Sequence, residues 1–222
     1  MTLPAALAGA VVGAASGPLL LSAASRFPGV RRDRHRRTTV SVAAGVVLAA
    51  LCARLIPDPH DRYAVPAFAA LAAVGVVLAV VDWDTRRLPD AITLPAYPLV
   101  VGLLAVGSWL AGDWPGLLRA AVAGAGALTL YGALAFAAPR GLGFGDVKLA
   151  GLLGSALGWL SWTAAVVGVA LGFLIGGVVS LVLLALRRAS LRTELPYGPW
   201  MLVGAWLAVL VGDRLAWLYL AW

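Results

Sequence analysis

Long apolar runs separated by short polar stretches dominate the hydropathy pattern of this chain. Each run approaches the roughly 20 residues that an α-helix needs to cross a bilayer core. Backbone groups in lipid must be satisfied within the segment, so the runs predict helices. We therefore predict an all-α, polytopic integral membrane bundle of about eight transmembrane helices. The predicted spans cover residues 3–25, 39–56, 64–82, 90–111, 116–138, 146–160, 162–186 and 197–212. The remaining residues, 213–222, are expected to form a separate aromatic tail at the membrane interface.

Composition supports the membrane class. The chain has 222 residues, of which 62% are hydrophobic and 12% charged, whereas soluble domains are about 25% charged. The first basic residue is Arg26, which favours a retained first span over a cleaved signal peptide. The single cysteine, Cys52, excludes a disulfide within the chain and a cysteine-based metal site.

The net charge of +7 is best explained by topology. A soluble protein with this charge would suggest nucleic acid as a partner, but here the arginines flank the spans, so we expect contact with membrane lipid and none with nucleic acid. Most Lys and Arg residues fall in or beside the loops at 26–38, 83–89, 139–145 and 187–196. Basic loops stay on the cytoplasmic side, so these loops are expected inside an inner or plasma membrane. The basic residues expected on the opposite side are Arg54, Arg62, Arg119 and Arg214.

Several acidic residues have simple explanations. Asp84 is expected to be a solvated loop residue, and Asp90 an N-cap of the following helix. His60 lies close to Asp58 and Asp61, which leaves a metal site and a short polar turn as alternatives. We favour the turn and predict no metal site.

Two carboxylates are harder to explain. Asp82 ends one apolar run and Asp146 opens another, both at the predicted cytoplasmic side. Ionisable groups at membrane depth are costly and usually face protein or a water-filled cavity. Two carboxylates that meet there would share a proton and titrate as a unit. One could then act as general base and the other as general acid, as in aspartic proteases.

The residues around Asp146 leave alternatives open. Gly143 and Gly145 would let the chain turn tightly and a substrate backbone approach, or Asp146 is simply the N-cap of a helix. Lys148 either tunes the carboxylate pair or neutralises charge near the substrate, or it simply extends to the lipid headgroups.

Three motifs resemble those of type IV prepilin peptidases. GFGDVKLA, residues 143–150, is similar to the GxGD motif of that family. VDWDTRRLPDAITLPAYP, residues 81–98, is similar to the other signature, where an aspartate lies seven residues before a proline. Pro89 places that aspartate at Asp82. LPYGP, residues 195–199, resembles the family's motif before its last span, and the three occur in the family's order.

The resemblance implies an aspartic endopeptidase that removes the basic leader of prepilins or pilin-like proteins on the cytoplasmic side. Asp82 and Asp146 would be its catalytic pair, and no cofactor is implied. The expected site-shaping or substrate-binding residues are Gly143, Gly145, Lys148, Pro89, Pro196, Tyr197, Gly198 and Pro199.

The resemblance also implies a division of the chain. Residues 1–64 would form a reduced N-terminal transmembrane hairpin, and residues 65–222 the catalytic domain. Many members carry a cysteine-rich zinc segment after the first span and methylate the new N-terminus. Here an arginine-rich loop without cysteines stands in that place, which makes N-methyltransferase activity doubtful and favours a short, peptidase-only form.

Two other classes compete with the peptidase. A small proton- or ion-coupled transporter would also use intramembrane carboxylates, although the two aspartates lie at one face rather than near the midplane. A membrane scaffold for pilus assembly that lacks catalysis would need neither carboxylate.

Overall fold

The computed structural model describes residues 2–137, 142–187 and 195–220, with side chains described from residue 3 to residue 211 of those ranges. In this part the chain forms eight α-helices and no strand, with a 3₁₀ turn, Asp61–Ala64, before the third helix. The helices are α1 (Thr2–Ala24), α2 (Arg34–Leu55), α3 (Val65–Thr85), α4 (Asp90–Ala111), α5 (Trp114–Ala137), α6 (Phe144–Leu160), α7 (Trp162–Ala185) and α8 (Gly198–Leu220).

By length and composition, six of the described helices could cross a membrane: α1, α2, α3 with its 3₁₀ turn, α4, α5 and α7. Helix α6 is not among these six and is shorter, with 17 residues. The apolar stretch of α8 that is described with side chains is Gly198–Val211. The all-α membrane bundle is thus confirmed, with one helix for each predicted span.

Two helix ends differ from the prediction. The second helix begins at Arg34, earlier than expected, because the Asp33 carboxylate accepts the backbone N–H of Arg36 at 2.7 Å and caps the first turn. The last helix continues to Leu220, so the prediction of a separate tail from residue 213 is wrong. The side chain of Arg214, the basic residues Arg140, Arg188 and Arg192, and residues 221–222 lie outside the described part.

Consecutive helices pair closely, α1 with α2, α5 with α6, and α7 with α8. Small residues allow this proximity. A Cβ atom at Gly13 would lie 2.4 Å from the carbonyl oxygen of Ala44, and one at Gly154 would lie 2.7 Å from the Cβ of Ala127. Larger side chains at these positions would force the helices apart.

The third and sixth helices are joined through shared neighbours. Both α4 and α8 pack against α3 and also against α6. Trp159 of α6 is fully buried, and its Nε1–H donates to the hydroxyl of Ser108 on α4 at 2.8 Å. The same two neighbouring helices therefore hold α3, which carries Asp82, and α6, which carries Asp146, in position relative to each other.

Candidate active site

Asp82 lies in the last turns of α3, and its side chain is buried, with 4% of the residue exposed. The backbone N–H of Gly198, the first residue of α8, donates to Oδ2 of Asp82 at 2.9 Å. N–H groups at the start of a helix have no partner within it and stabilise negative charge. The start of α8 therefore binds and orients the Asp82 carboxylate.

Asp146 occupies the first turn of α6. The N-cap of this helix is Gly143, so the alternative in which Asp146 itself is the N-cap is wrong. Instead, Oδ2 of Asp146 accepts the backbone N–H of Gly143 at 3.1 Å. A carboxylate at this position is favoured by the free N–H groups of the helix start. The same geometry holds Asp146 beside the loop that enters α6.

Both aspartates line one open cavity of about 740 Å³. The cavity lies where α3 ends and α6 begins, and its wall includes residues of the α1–α2 loop and of the α3–α4 loop. The two carboxylates therefore face a common cavity, and their sharing of a proton stays a prediction. Other lining residues are Phe27, Pro28, Arg86, Arg87, Leu88, Pro89, Asp90, Gly143, Phe144 and Gly145.

Gly145 determines how closely α6 approaches the loop after α3. A Cβ atom at this position would lie 2.7 Å from the Cβ of Leu88, closer than real side chains pack. Gly143 is less constrained, since a Cβ there would lie 3.4 Å from Oδ2 of Asp146. The GFGD segment thus requires glycine at residue 145 for packing, in addition to any room that a substrate needs.

Lys148 and Asp90 form an ion pair at the cavity rim, with 2.6 Å between Nζ and Oδ1. Asp90 is the first residue of α4 and follows the N-cap, Pro89, so the prediction that Asp90 is an N-cap is wrong. The hydroxyl of Tyr97 donates to the backbone carbonyl of Lys148 at 2.6 Å. These contacts tie the start of α6 to α4, and in them Lys148 neutralises the charge of a carboxylate that lines the cavity.

The third motif supports Asp82 from the other side. Within this motif, a side chain at residue 198 would crowd the carboxylate, because a Cβ there would lie 3.0 Å from Oδ2 of Asp82. The ring of Tyr197 covers Gly176 of α7, and its hydroxyl donates to the carbonyl of Phe173 at 3.3 Å. Pro196 precedes this helix, and Pro199 is its second residue.

Sequence reasoning missed a partly buried ion pair beside the cavity. The Asp84 side chain is 7% exposed and pairs with both terminal nitrogens of Arg36, one of them at 2.5 Å. The backbone N–H of Arg31 donates to the same carboxylate at 3.1 Å. The prediction that Asp84 is solvated is therefore wrong. The many arginines of the loop at 26–38 were the signal in the sequence that could have indicated a partner for Asp84.

A separate polar cluster occupies the opposite end of the bundle. His60 stacks on Trp159 with ring centroids 4.7 Å apart, and its Nε2 lies 2.9 Å from Oδ2 of Asp113. Hydrogen bonds from the N–H of Asp61 and then of His60 lower the pKa of the Asp58 carboxyl. Across the described ranges, no group of three or more His, Cys, Asp or Glu residues is placed to hold a metal ion.

Comparisons with known proteins agree with these motifs. The chain is 34% identical to the prepilin leader peptidase/N-methyltransferase of Pseudomonas putida over 63% of this chain and 48% of that protein. The protein of the same name in Aeromonas hydrophila is 30% identical over 85% of this chain and 66% of its own. The chain thus spans from about half to two thirds of the length of these curated relatives. No solved structure matches it significantly. Residues 69–185 match the Type IV leader peptidase family, and the chain belongs to that family.

Proposed function

We propose that this chain is a membrane aspartic endopeptidase that removes the basic N-terminal leader of prepilins or pilin-like proteins. The observation that carries the proposal is that Asp82 and Asp146, on separate helices, line one open cavity at one end of the bundle. Family membership supports the substrate class. The active site would face the cytoplasm from the inner or plasma membrane, as the distribution of basic residues favours.

The chemistry follows from the two carboxylates. One of them, ionised, takes a proton from a water molecule, and the resulting oxygen attacks the carbonyl carbon of the scissile peptide bond. The other, protonated, donates its proton to the carbonyl oxygen. Collapse of the tetrahedral intermediate, with proton transfer to the leaving amine, breaks the C–N bond. These steps use acid–base groups of the chain and water, so the proposal includes no metal and no cofactor.

The remaining motif residues position this pair. Gly198 holds Asp82 through its N–H, and Gly145 allows α6 to approach the loop that contains Pro89. Lys148 fixes the start of α6 through Asp90. Gly143, Pro196, Tyr197 and Pro199 shape the cavity or contact substrate. The division into a hairpin over 1–64 and a catalytic domain over 65–222, and the absence of methyl transfer, are parts of the same proposal.

The test is leader cleavage of a co-expressed pilin-like substrate by wild type, Asp82→Asn and Asp146→Asn. Asparagine retains the side-chain size and removes the titratable group. We expect each variant to insert normally and to lose at least about 100-fold in cleavage rate, as expected for removal of a general acid or base.

Asp33→Asn is the matched control, because asparagine also caps helices well and Asp33 lies at the start of α2, outside the cavity. Cleavage by either cavity variant at the wild-type rate would exclude that aspartate from catalysis. A wild type that cleaves no pilin-like substrate would favour a transporter or an assembly scaffold.

A further inference from the structure

A second, almost entirely apolar depression runs along the outside of the bundle between α5 and α7. It has a volume of about 700 Å³, and both of its walls pack on α6. Small residues from both helices form much of its lining. They are Ala123, Gly126, Ala127, Ala165 and Ala170. Small residues at a membrane-facing surface allow another helix to approach closely.

The inner end of this groove lies at the depth of the two aspartates. On the α5 wall, a Cβ at Gly132 would lie 3.9 Å from the side chain of Val147, the neighbour of Asp146. On the α7 wall, Gly176 lies two residues beyond the lining residue Leu174 and is covered by the ring of Tyr197. The next residue, Gly198, donates to Asp82. The groove and the cavity therefore meet at one level.

The dimensions of the groove suit a helix. Its lining spans residues 122–134 of α5 and residues 162–174 of α7, each about 18 Å along a helix axis. A helix of that length and about 10 Å in diameter fills roughly 1,400 Å³, so the groove would accept about half of its cross-section. The other half would remain in contact with lipid.

An aromatic pair connects the groove to the cavity. Phe136 lies two residues past the lining residue Leu134, and its ring meets that of Phe144 edge to face, with centroids 6.0 Å apart. Phe144 also lines the cavity. Both rings are largely exposed, at 76% and 64%. A chain that leaves the groove at its inner end would cross this pair before it reaches the aspartates.

We infer that the α5–α7 groove binds the hydrophobic helix of the substrate and so selects the bond that is cut. The inference rests on the proposed function. A helix in the groove that ends at its inner edge presents the residues before it to Asp82 and Asp146. Cleavage just before the hydrophobic helix then follows from where the groove stops, and the hydrophobic helix becomes part of what the enzyme recognises.

The first test fills the groove without disturbing the fold. Gly126 lines the groove, and a Cβ there would meet no atom within 4 Å. Gly126→Trp therefore places an indole at the groove from a position where the added Cβ meets no atom of the bundle. Gly102→Trp is the matched control, because Gly102 of α4 is equally unobstructed and does not line the groove. We expect Gly126→Trp to lower kcat/KM for a full-length prepilin at least 10-fold, mainly through KM, and Gly102→Trp to change it less than 2-fold.

The second test reads occupancy directly. A photo-reactive benzoylphenylalanine replaces Leu174 in the groove or, as control, Val46 of α2, in an Asp146→Asn background that leaves the prepilin uncut. The two positions are similarly exposed, at 58% and 63%. We expect crosslinks to prepilin at residue 174 and not at residue 46.

Each outcome separates the two proposals. If wild type cleaves prepilin but both tryptophan variants cleave it equally well, the groove inference fails and the peptidase stands. Crosslinks from residue 174 only to lipid or to a second copy of this chain would also overturn the inference. If wild type cleaves nothing, the peptidase proposal fails, and prepilin crosslinks at residue 174 would then indicate binding without catalysis.

Discussion

The contact between Asp82 and the N–H of Gly198 determines where one carboxylate of the proposed catalytic pair points. The donor lies 116 residues further along the chain and belongs to the start of α8. Asp82 has little contact with solvent that could replace this bond. Its orientation therefore depends on the position of α8.

We predict that Gly198→Ala impairs catalysis without preventing folding. The added Cβ would lie 3.0 Å from Oδ2 of Asp82, so the carboxylate must shift by a few tenths of an ångström. Since a misplacement of about 1 Å can cost 100-fold in rate, we expect this smaller shift to lower kcat for leader cleavage roughly 10-fold. Gly177→Ala is the control, because a Cβ at Gly177 meets nothing within 4 Å. Equal rates for the two variants would contradict the proposed role of Gly198.

At this scale, the sequence indicated the two carboxylates that line the cavity but not their partners. Asp82 and Asp146 stood out because apolar spans rarely carry ionisable groups. The hydrogen-bond partners of both carboxylates are backbone N–H groups, and the partner of Asp82 is also far away in sequence. The spacing of residue types along the chain does not reveal such partners. Asp84 was assigned to solvent for the same reason, since its partner Arg36 lies 48 residues earlier.

At the scale of the helices, the C-terminal end of α6 is bound by an arginine of the neighbouring helix. Arg119 of α5 donates to three successive carbonyls at its C-terminus, those of Gly158 at 2.6 Å, Trp159 at 2.5 Å and Leu160 at 3.2 Å. The last carbonyls of a helix lack partners within it, and a cation there interacts favourably with the negative end of the helix dipole. Arg119 thus fixes the far end of the helix that begins with the GFGD segment.

We predict that Arg119→Gln destabilises the bundle. The substitution removes a charged donor from partly buried carbonyls, and hydrogen bonds to charged groups contribute about 1.5–3 kcal/mol. Reversible denaturation in mixed detergent micelles would measure this loss. Arg62→Gln, at the same end of the bundle but exposed, should change the free energy of unfolding by less than about 0.5 kcal/mol. A similar loss for both variants would contradict the capping role.

Helix positions were predictable because hydropathy changes sharply at their ends. From α3 to α7, predicted and observed ends differ by three residues or fewer. The exceptions have local causes. The cap at Asp33 lies among arginines and outside the apolar run, and α8 continues past a short charged stretch because one Gly-Asp-Arg segment does not break a helix.

On the scale of the whole molecule, the bundle has two chemically different ends. One carries the cavity with both aspartates, and the other carries the His60 cluster and Arg119. Phe27 and Pro28 of the α1–α2 loop line the cavity, so the side on which this loop lies is also the side of the cavity. The arginines of the loop favour the cytoplasm.

We predict that thiol labelling will place the two ends on opposite sides of the membrane. In a Cys52→Ala background, Pro59→Cys should react with a membrane-impermeant maleimide in intact spheroplasts. Arg32→Cys should react only after permeabilisation. Both positions are exposed, so accessibility within the protein does not limit either reaction. The reverse pattern would place the cavity outside and contradict the proposed site of cleavage.

Helix neighbours could not be predicted from this sequence. In lipid, the face of a helix that meets protein and the face that meets the bilayer are both apolar, so hydropathy does not distinguish them. Val40 and Val42 of α2 illustrate this, since the first is buried and the second is 63% exposed. The groove between α5 and α7 was invisible for the same reason.

The length of α6 has a consequence for hydration. Its 17 residues extend about 25 Å, less than the roughly 30 Å of hydrocarbon in a bilayer. Because α6 is enclosed by other helices, this shortfall leaves a recess inside the protein instead of a dent in the surrounding lipid. At about 30 Å³ per molecule, the 740 Å³ cavity at its start could hold on the order of 20 waters. A short central helix would in this way supply water, the second substrate of the proposed hydrolysis, to the two aspartates.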